Sequence, residues 1–132
     1  MTDPKKYTAL LVDDDAFLLG MYATKFELGG FSVRSCLLSD EAIKELAGGY
    51  APDAIIFDLI MPGGDGFYLL DHLREQHLGD AALKVALTNE SKDDEKKRAM
   101  ELGAALYLIK ANTIPSEVVD TVRKELDSRG AR

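Results

Sequence analysis

Two hydrophobic periods alternate along this chain, and that alternation limits its fold more than any other feature. Short apolar runs at Tyr7–Val12, Phe31–Cys36, Asp53–Phe57, Leu83–Leu87 and Ala105–Ile109 are separated by stretches whose apolar residues recur at helical spacing. AIIF before Asp58 and LYLI before Lys110 are continuously apolar, as in strands covered on both faces. The stretches between them have recognisable helix ends. The first is expected over Ala16–Leu28, with Phe17, Met21 and Leu28 near one face and a stop at Gly29-Gly30. The second starts with Ser39 as cap and Asp40-Glu41 in its first turn, buries Ala42, Ile43, Leu46 and Ala47, and ends at Gly48-Gly49. The third covers about 64–77 with Phe67, Leu70 and Leu73 inward, and the fourth starts at Ser91, where Asp94 three residues on resembles a capping box. The last follows Pro115 and aligns Val118, Val119, Val122 and Leu126. The sum is a (βα)₅ alternation with short connections, which implies a mostly parallel sheet with helices on both faces.

At 132 residues the chain fits one domain over 1–132, with a core at about 6–127, loose tails and no output domain. Folding at this length buries about two-thirds of the unfolded surface, enough for a core without staples. The single cysteine, Cys36, has no internal disulfide partner and is expected as a small buried hydrophobe. A net charge of −7 argues against a nucleic-acid partner. No apolar stretch approaches the ~20 residues of a membrane span, and no leader pattern opens the chain, so a cytoplasmic setting without membrane contact is expected.

A parallel sheet gathers its strand ends at one edge. Here the runs end in Asp13 and Asp14 after LLV, Asp58 after AIIF, Thr88 after KVAL and Lys110 after LYLI. Three carboxylates, a hydroxyl and an ammonium suit a Mg²⁺ ion and a phosphoryl group. Helix capping accounts for Asp15, but three consecutive acids exceed that need. Two carboxylates about 5 Å apart repel by about 3 kcal/mol at an effective dielectric of about 20. Asp13→Asn is therefore expected to stabilise the metal-free domain while weakening Mg²⁺ binding.

The motifs LLVDDD (Leu10–Asp15), IIFDLIMPGGDG (Ile55–Gly66), ALTNES (Ala86–Ser91) and LYLIKA (Leu106–Ala111) resemble, in order and spacing, the receiver domain of two-component response regulators. The resemblance covers nearly the whole chain. It implies a flavodoxin-like, CheY-like α/β fold with strand order 2-1-3-4-5 and a site where the order reverses. It implies that Asp58 receives a phosphoryl group from a histidine kinase or histidine phosphotransfer protein. Asp13, Asp14, Asp58 and the Ile60 backbone carbonyl would then hold Mg²⁺, with Mn²⁺ as a substitute; of the acidic pair Asp14 would be the direct ligand and Asp13 would act mainly through water. Thr88 and Lys110 match the switch threonine and the phosphoryl-binding lysine, and Tyr107 the aromatic that turns on activation. The implied product is a switched face of the fourth helix, fifth strand and fifth helix that acts on a downstream protein. Such a chain is a signalling phospho-acceptor rather than a turnover enzyme, monomeric or dimerising on phosphorylation.

Asn89 and Ala111 depart from the family's common pattern, and Ile60 and Glu90 also bear on the site. Asn89 stands where a small residue is usual, and its bulk is expected to slow entry to the site. Ala111 stands where proline usually follows the lysine. Asn89 and Glu90 are the modulating positions; Ile60 and Glu90 flank the path of hydrolytic water, and apolar Ile60 cannot hold that water. A receiver-like scaffold independent of phosphorylation is the main alternative, although it would not need these five strand-end residues. A phosphatase of the haloacid-dehalogenase type would place an acid where Ile60 stands, and a flavodoxin relative would need a phosphate loop after the first strand.

Overall fold

The computed structural model describes residues 7–61, 65–89 and 92–130. Its elements alternate as β1 (Thr8–Val12), α1 (Ala16–Leu28), β2 (Ser32–Cys36), α2 (Ser39–Ala47), β3 (Ala54–Phe57), α3 (Gly66–Gln76), β4 (Leu83–Thr88), α4 (Asp93–Glu101), β5 (Leu106–Ile109) and α5 (Pro115–Ser128). The five strands form one parallel sheet in the order β2-β1-β3-β4-β5. This is the flavodoxin-like arrangement, and its switch point lies between β1 and β3.

The two-residue strand period divides the core in two. Leu10 and Val12 of β1, with Ile55 and Phe57 of β3, face Ala42 and Leu46 of α2 and Phe67, Leu70 and Leu73 of α3. Ala9 and Leu11, with Ile56, Val85 and Leu87, face Leu19, Tyr22 and Phe26 of α1 and Val118, Val122 and Leu126 of α5. Both faces need apolar side chains, hence the unbroken run at AIIF, where all four residues are buried. LYLI differs: all four β5 residues are only half-buried, because β5 is the edge strand with one neighbour.

Several expected helix details are corrected. Phe17 is 81% and Leu28 77% exposed, so they do not mark the inner face of α1; Leu19, Tyr22 and Phe26 do. AFLLGMY is apolar nearly all round, so its periodicity cannot select a face. In α2, Ala42 and Leu46 are buried, Ile43 is half-buried and Ala47 is exposed in the last turn. Ser39 is the first helical residue rather than the cap. The Glu41 carboxylate accepts from the N–H groups of Leu37 and Leu38, and the Ser39 hydroxyl donates to the Asp65 carbonyl. The third helix begins at Gly66, after Asp65, whose carboxylate accepts from the Tyr68 N–H. Glu90 and Ser91 lie outside the described residues, and α4 starts at Asp93. Cys36 is buried as expected. Among the described residues no helix is long and apolar enough to cross a membrane.

Gly66 sets how closely α3 approaches the sheet edge. A Cβ there would lie 2.6 Å from the Asp58 carbonyl oxygen and 2.8 Å from Leu59 Cα. At the opposite corner Arg123 of α5 donates to the Gly29 carbonyl and sits over the Phe31 and Tyr7 rings at 5.0 and 5.4 Å.

Candidate functional site

Register brings the strand-end residues together. Val12 pairs with Phe57, so Asp13 and Asp58 leave the sheet side by side, and the Asp58 N–H donates to the Val12 carbonyl at 3.0 Å. Thr88 pairs with Ile109, which sets Lys110 at the same edge. Asp13, Asp58, Thr88 and Lys110 span nearly a hundred positions of sequence, and the sheet order alone makes them neighbours.

Lys110 Nζ donates to Asp13 Oδ2 and to Asp58 Oδ2, each at 2.7 Å. All three side chains are close to nine-tenths buried. Each carboxylate is also fixed by a backbone donor: Asp58 Oδ1 accepts from the Ile60 N–H at 3.1 Å, and Asp13 Oδ1 from the Asp15 N–H at 2.9 Å. Burial by itself would lower the Lys110 pKa, but the hydrogen bonds and charges of Asp13 and Asp58 outweigh it, and the net direction is upward. Asp15 is the α1 cap, accepting from the Phe17 and Leu18 N–H groups.

Asp14 is exposed, yet one of its oxygens lies within 4.8 Å of oxygens of both Asp13 and Asp58. One ammonium facing three carboxylates leaves an excess of negative charge. Oxygen-only donors in that surplus suit a hard divalent cation such as Mg²⁺. Asp13, Asp14 and Asp58 are the residues that could hold it.

Asp58, Ile60, Thr88 and Asn89 line an opening above this cluster. Ile60 presents its side chain to solvent, 56% exposed, as suits a residue that contributes only main-chain groups. Thr88 is fully buried. By the strand period it shares a sheet face with Ala86, the partner of Tyr107, and Tyr107 is half-buried against the α2–α3 core.

Two features were not foreseen from sequence. Tyr22 lines the small cavity beneath Asp13 and Asp58, and burial raises its phenol pKa. Nothing in a helical Tyr announces that position. The Asn89 side-chain carbonyl accepts a 3.1 Å hydrogen bond from the Ala111 N–H, joining the two loops at the β4 and β5 ends. The pair of departures at 89 and 111 was the only sign of it.

A family model, the response regulator receiver domain, matches residues 9–123. Among curated proteins, the transcriptional regulatory protein PrrA of Mycobacterium tuberculosis is 33% identical over 131 residues, covering 99% of this chain and 53% of PrrA. The phosphate regulon transcriptional regulatory protein PhoB of Escherichia coli is 29% identical over 114 residues, 86% of this chain and 49% of PhoB. The chain thus spans about half the length of these relatives. Among solved structures, a CheY-like receiver domain protein from Methanospirillum hungatei superposes with a TM-score of 0.85 at 20% identity, covering 96% of this chain and 98% of that one. Chemotaxis protein CheY4 of Vibrio cholerae gives 0.82 at 25% identity, covering 91% and 98%.

Proposed function

The chain belongs to the response regulator receiver family of two-component systems, and on that premise we propose that Asp58 accepts a phosphoryl group in a Mg²⁺-dependent reaction. The observation that carries this reading is the buried Lys110 ammonium shared by Asp58 and Asp13 at 2.7 Å, with Asp14 completing a three-carboxylate cluster. A phosphorylation-independent scaffold would have no use for so costly a burial of charge.

An aspartate is a poor nucleophile toward phosphorus chiefly because anion meets anion. Bound Mg²⁺ would supply charge neutralisation at the carboxylates and the phosphoryl oxygens. The Ile60 N–H and Lys110 fix the Asp58 carboxylate from both oxygens, so little reorientation remains before attack. An Asp58 oxygen forms the bond to phosphorus as the donor's P–N bond breaks. The bonding pair leaves on the imidazole nitrogen of a phosphohistidine, carried by a histidine kinase or phosphotransfer protein. Lys110 then pairs with the phosphoryl oxygens, while Asp13, Asp14, Asp58 and the Ile60 carbonyl would form the protein's share of the cation shell.

The Thr88 hydroxyl follows the new anionic oxygens, and its loop moves with it. Tyr107 shares that sheet face, which supports a coupled turn of its ring and a changed α4–β5–α5 surface read by a protein target. As a phospho-acceptor the chain catalyses only its own phosphorylation and dephosphorylation.

The test is intact-mass measurement after incubation with acetyl phosphate and Mg²⁺, with Asp58→Asn as control. Gain of a single acid-stable, base-labile phosphoryl group, lost in the variant and in chelator, is the expected result. Labelling of the variant at the wild-type level would overturn the assignment.

A further inference from the structure

We propose that Asn89 is a brake on the switch: a positioning residue whose side chain holds the Thr88 loop in its resting place by accepting the Ala111 N–H. The proposal rests on the phosphoryl-acceptor reading of Asp58 and adds regulation of that site by two residues.

The β4–β5 pairing ends at Thr88↔Ile109. One step further the contact continues through a side chain, with the Ala111 N–H donating to Asn89 Oδ1 at 3.1 Å. A backbone N–H can only donate, so the oxygen of the carboxamide must be the atom that faces it. The bond requires both departures together. A small residue at 89 would have no acceptor, and a proline at 111 would have no N–H. Asn89 directly follows Thr88 at the end of β4, so a hold on its side chain is a hold on the backbone that carries Thr88. Drawing Thr88 onto a phosphoryl oxygen displaces its immediate neighbour and stretches or breaks this bond.

The bond is solvent-exposed, so its hold is modest. Its loss should shift the resting-to-switched equilibrium by about two- to fivefold. The brake thereby raises the phosphoryl occupancy needed to switch the domain.

Two variants separate this from simple crowding. Asn89→Ala removes both acceptor and bulk, while Asn89→Leu keeps the bulk and removes only the acceptor. Residue-resolved amide exchange by NMR, without metal or phosphoryl donor, should show Ala111 exchanging about two- to fivefold faster in both variants. Asn89→Asp, which keeps an acceptor, should leave Ala111 protected. The dissociation constant for beryllofluoride with Mg²⁺, a phosphoryl mimic, should fall about two- to fivefold in both the Ala and Leu variants. Unchanged Ala111 exchange, or tightening in Asn89→Ala alone, overturns the brake while leaving the Asp58 reading intact. Absence of beryllofluoride binding by the wild-type protein overturns the Asp58 reading, and the brake with it.

Discussion

Removing one acid from the cluster tests its electrostatics, and the two neighbouring aspartates should respond differently. At the 4.8 Å limit that contains the three carboxylates, each pair repels by about 3.5 kcal/mol at an effective dielectric of about 20. Asp13→Asn relieves the buried Asp58 pair, about 3.5 kcal/mol, and the solvent-screened Asp14 pair, about 1 kcal/mol, but forfeits the 2.7 Å contact with Lys110, worth about 6 kcal/mol on the same scale. The expected net change is a loss of about 1–2 kcal/mol, which reverses the stabilisation that sequence alone suggested for this substitution. Asp14 has no ion pair among the described residues, so Asp14→Asn relieves its repulsion with Asp13 and Asp58 and forfeits no such contact. Its exposure lets water and salt screen most of that relief, leaving about 1–2 kcal/mol of stabilisation. For a domain of this size the gain corresponds to a melting temperature about 4–8 °C higher in chelator. The assay is thermal and urea unfolding of wild type, Asp13→Asn and Asp14→Asn, each with EDTA and with Mg²⁺. Wild type should gain stability with Mg²⁺, and Asp14→Asn should lose most of that gain. The reasoning fails if Asp14→Asn is no more stable than wild type in EDTA, or if Asp13→Asn gains as much.

Other substitutions probe the scaffold beneath the site. Gly66→Ala forces a methyl against the Asp58 carbonyl and Leu59 Cα, so urea unfolding should show a loss of about 1–3 kcal/mol, and acetyl phosphate labelling of Asp58 should slow. Arg123→Ala removes the donor to the Gly29 carbonyl and the cation over Phe31 and Tyr7, and should cost about 1–2 kcal/mol in the same assay. Burial pushes the Cys36 thiol from 9.0 up to about 11, with Glu41 and Glu45 adding in the same direction. The unfolded thiol ionises first as pH rises, so this contribution is complete below pH 9.0 and is lost by about 11; Cys36→Ala should show a shallower alkaline decline in urea midpoint.

How legible each part was follows from the range of the forces involved. Each strand was readable to within one residue, because an apolar run bounded by polar residues is a local property. The face of α1 was not. Its sequence is apolar on nearly every side, and only contact with β1 and α5 selects Leu19, Tyr22 and Phe26 over Phe17 and Leu28. The α2 cap was misplaced for a related reason. Both Ser39 and Glu41 carry oxygens able to reach backbone donors, and the neighbouring α3 start draws Ser39 to the Asp65 carbonyl instead.

The sequence by itself determined the chemistry at the strand ends: which residues carry carboxylates, hydroxyl and ammonium, and that a parallel sheet would collect them at one edge. Tertiary structure decided how those groups are shared. Lys110 takes Asp13 and Asp58 and leaves Asp14 to solvent, while Asn89 spends its carbonyl on the Ala111 N–H. Those choices turn on strand register and on the ångström-scale approach of α3 at Gly66, both set by packing between segments far apart in the chain.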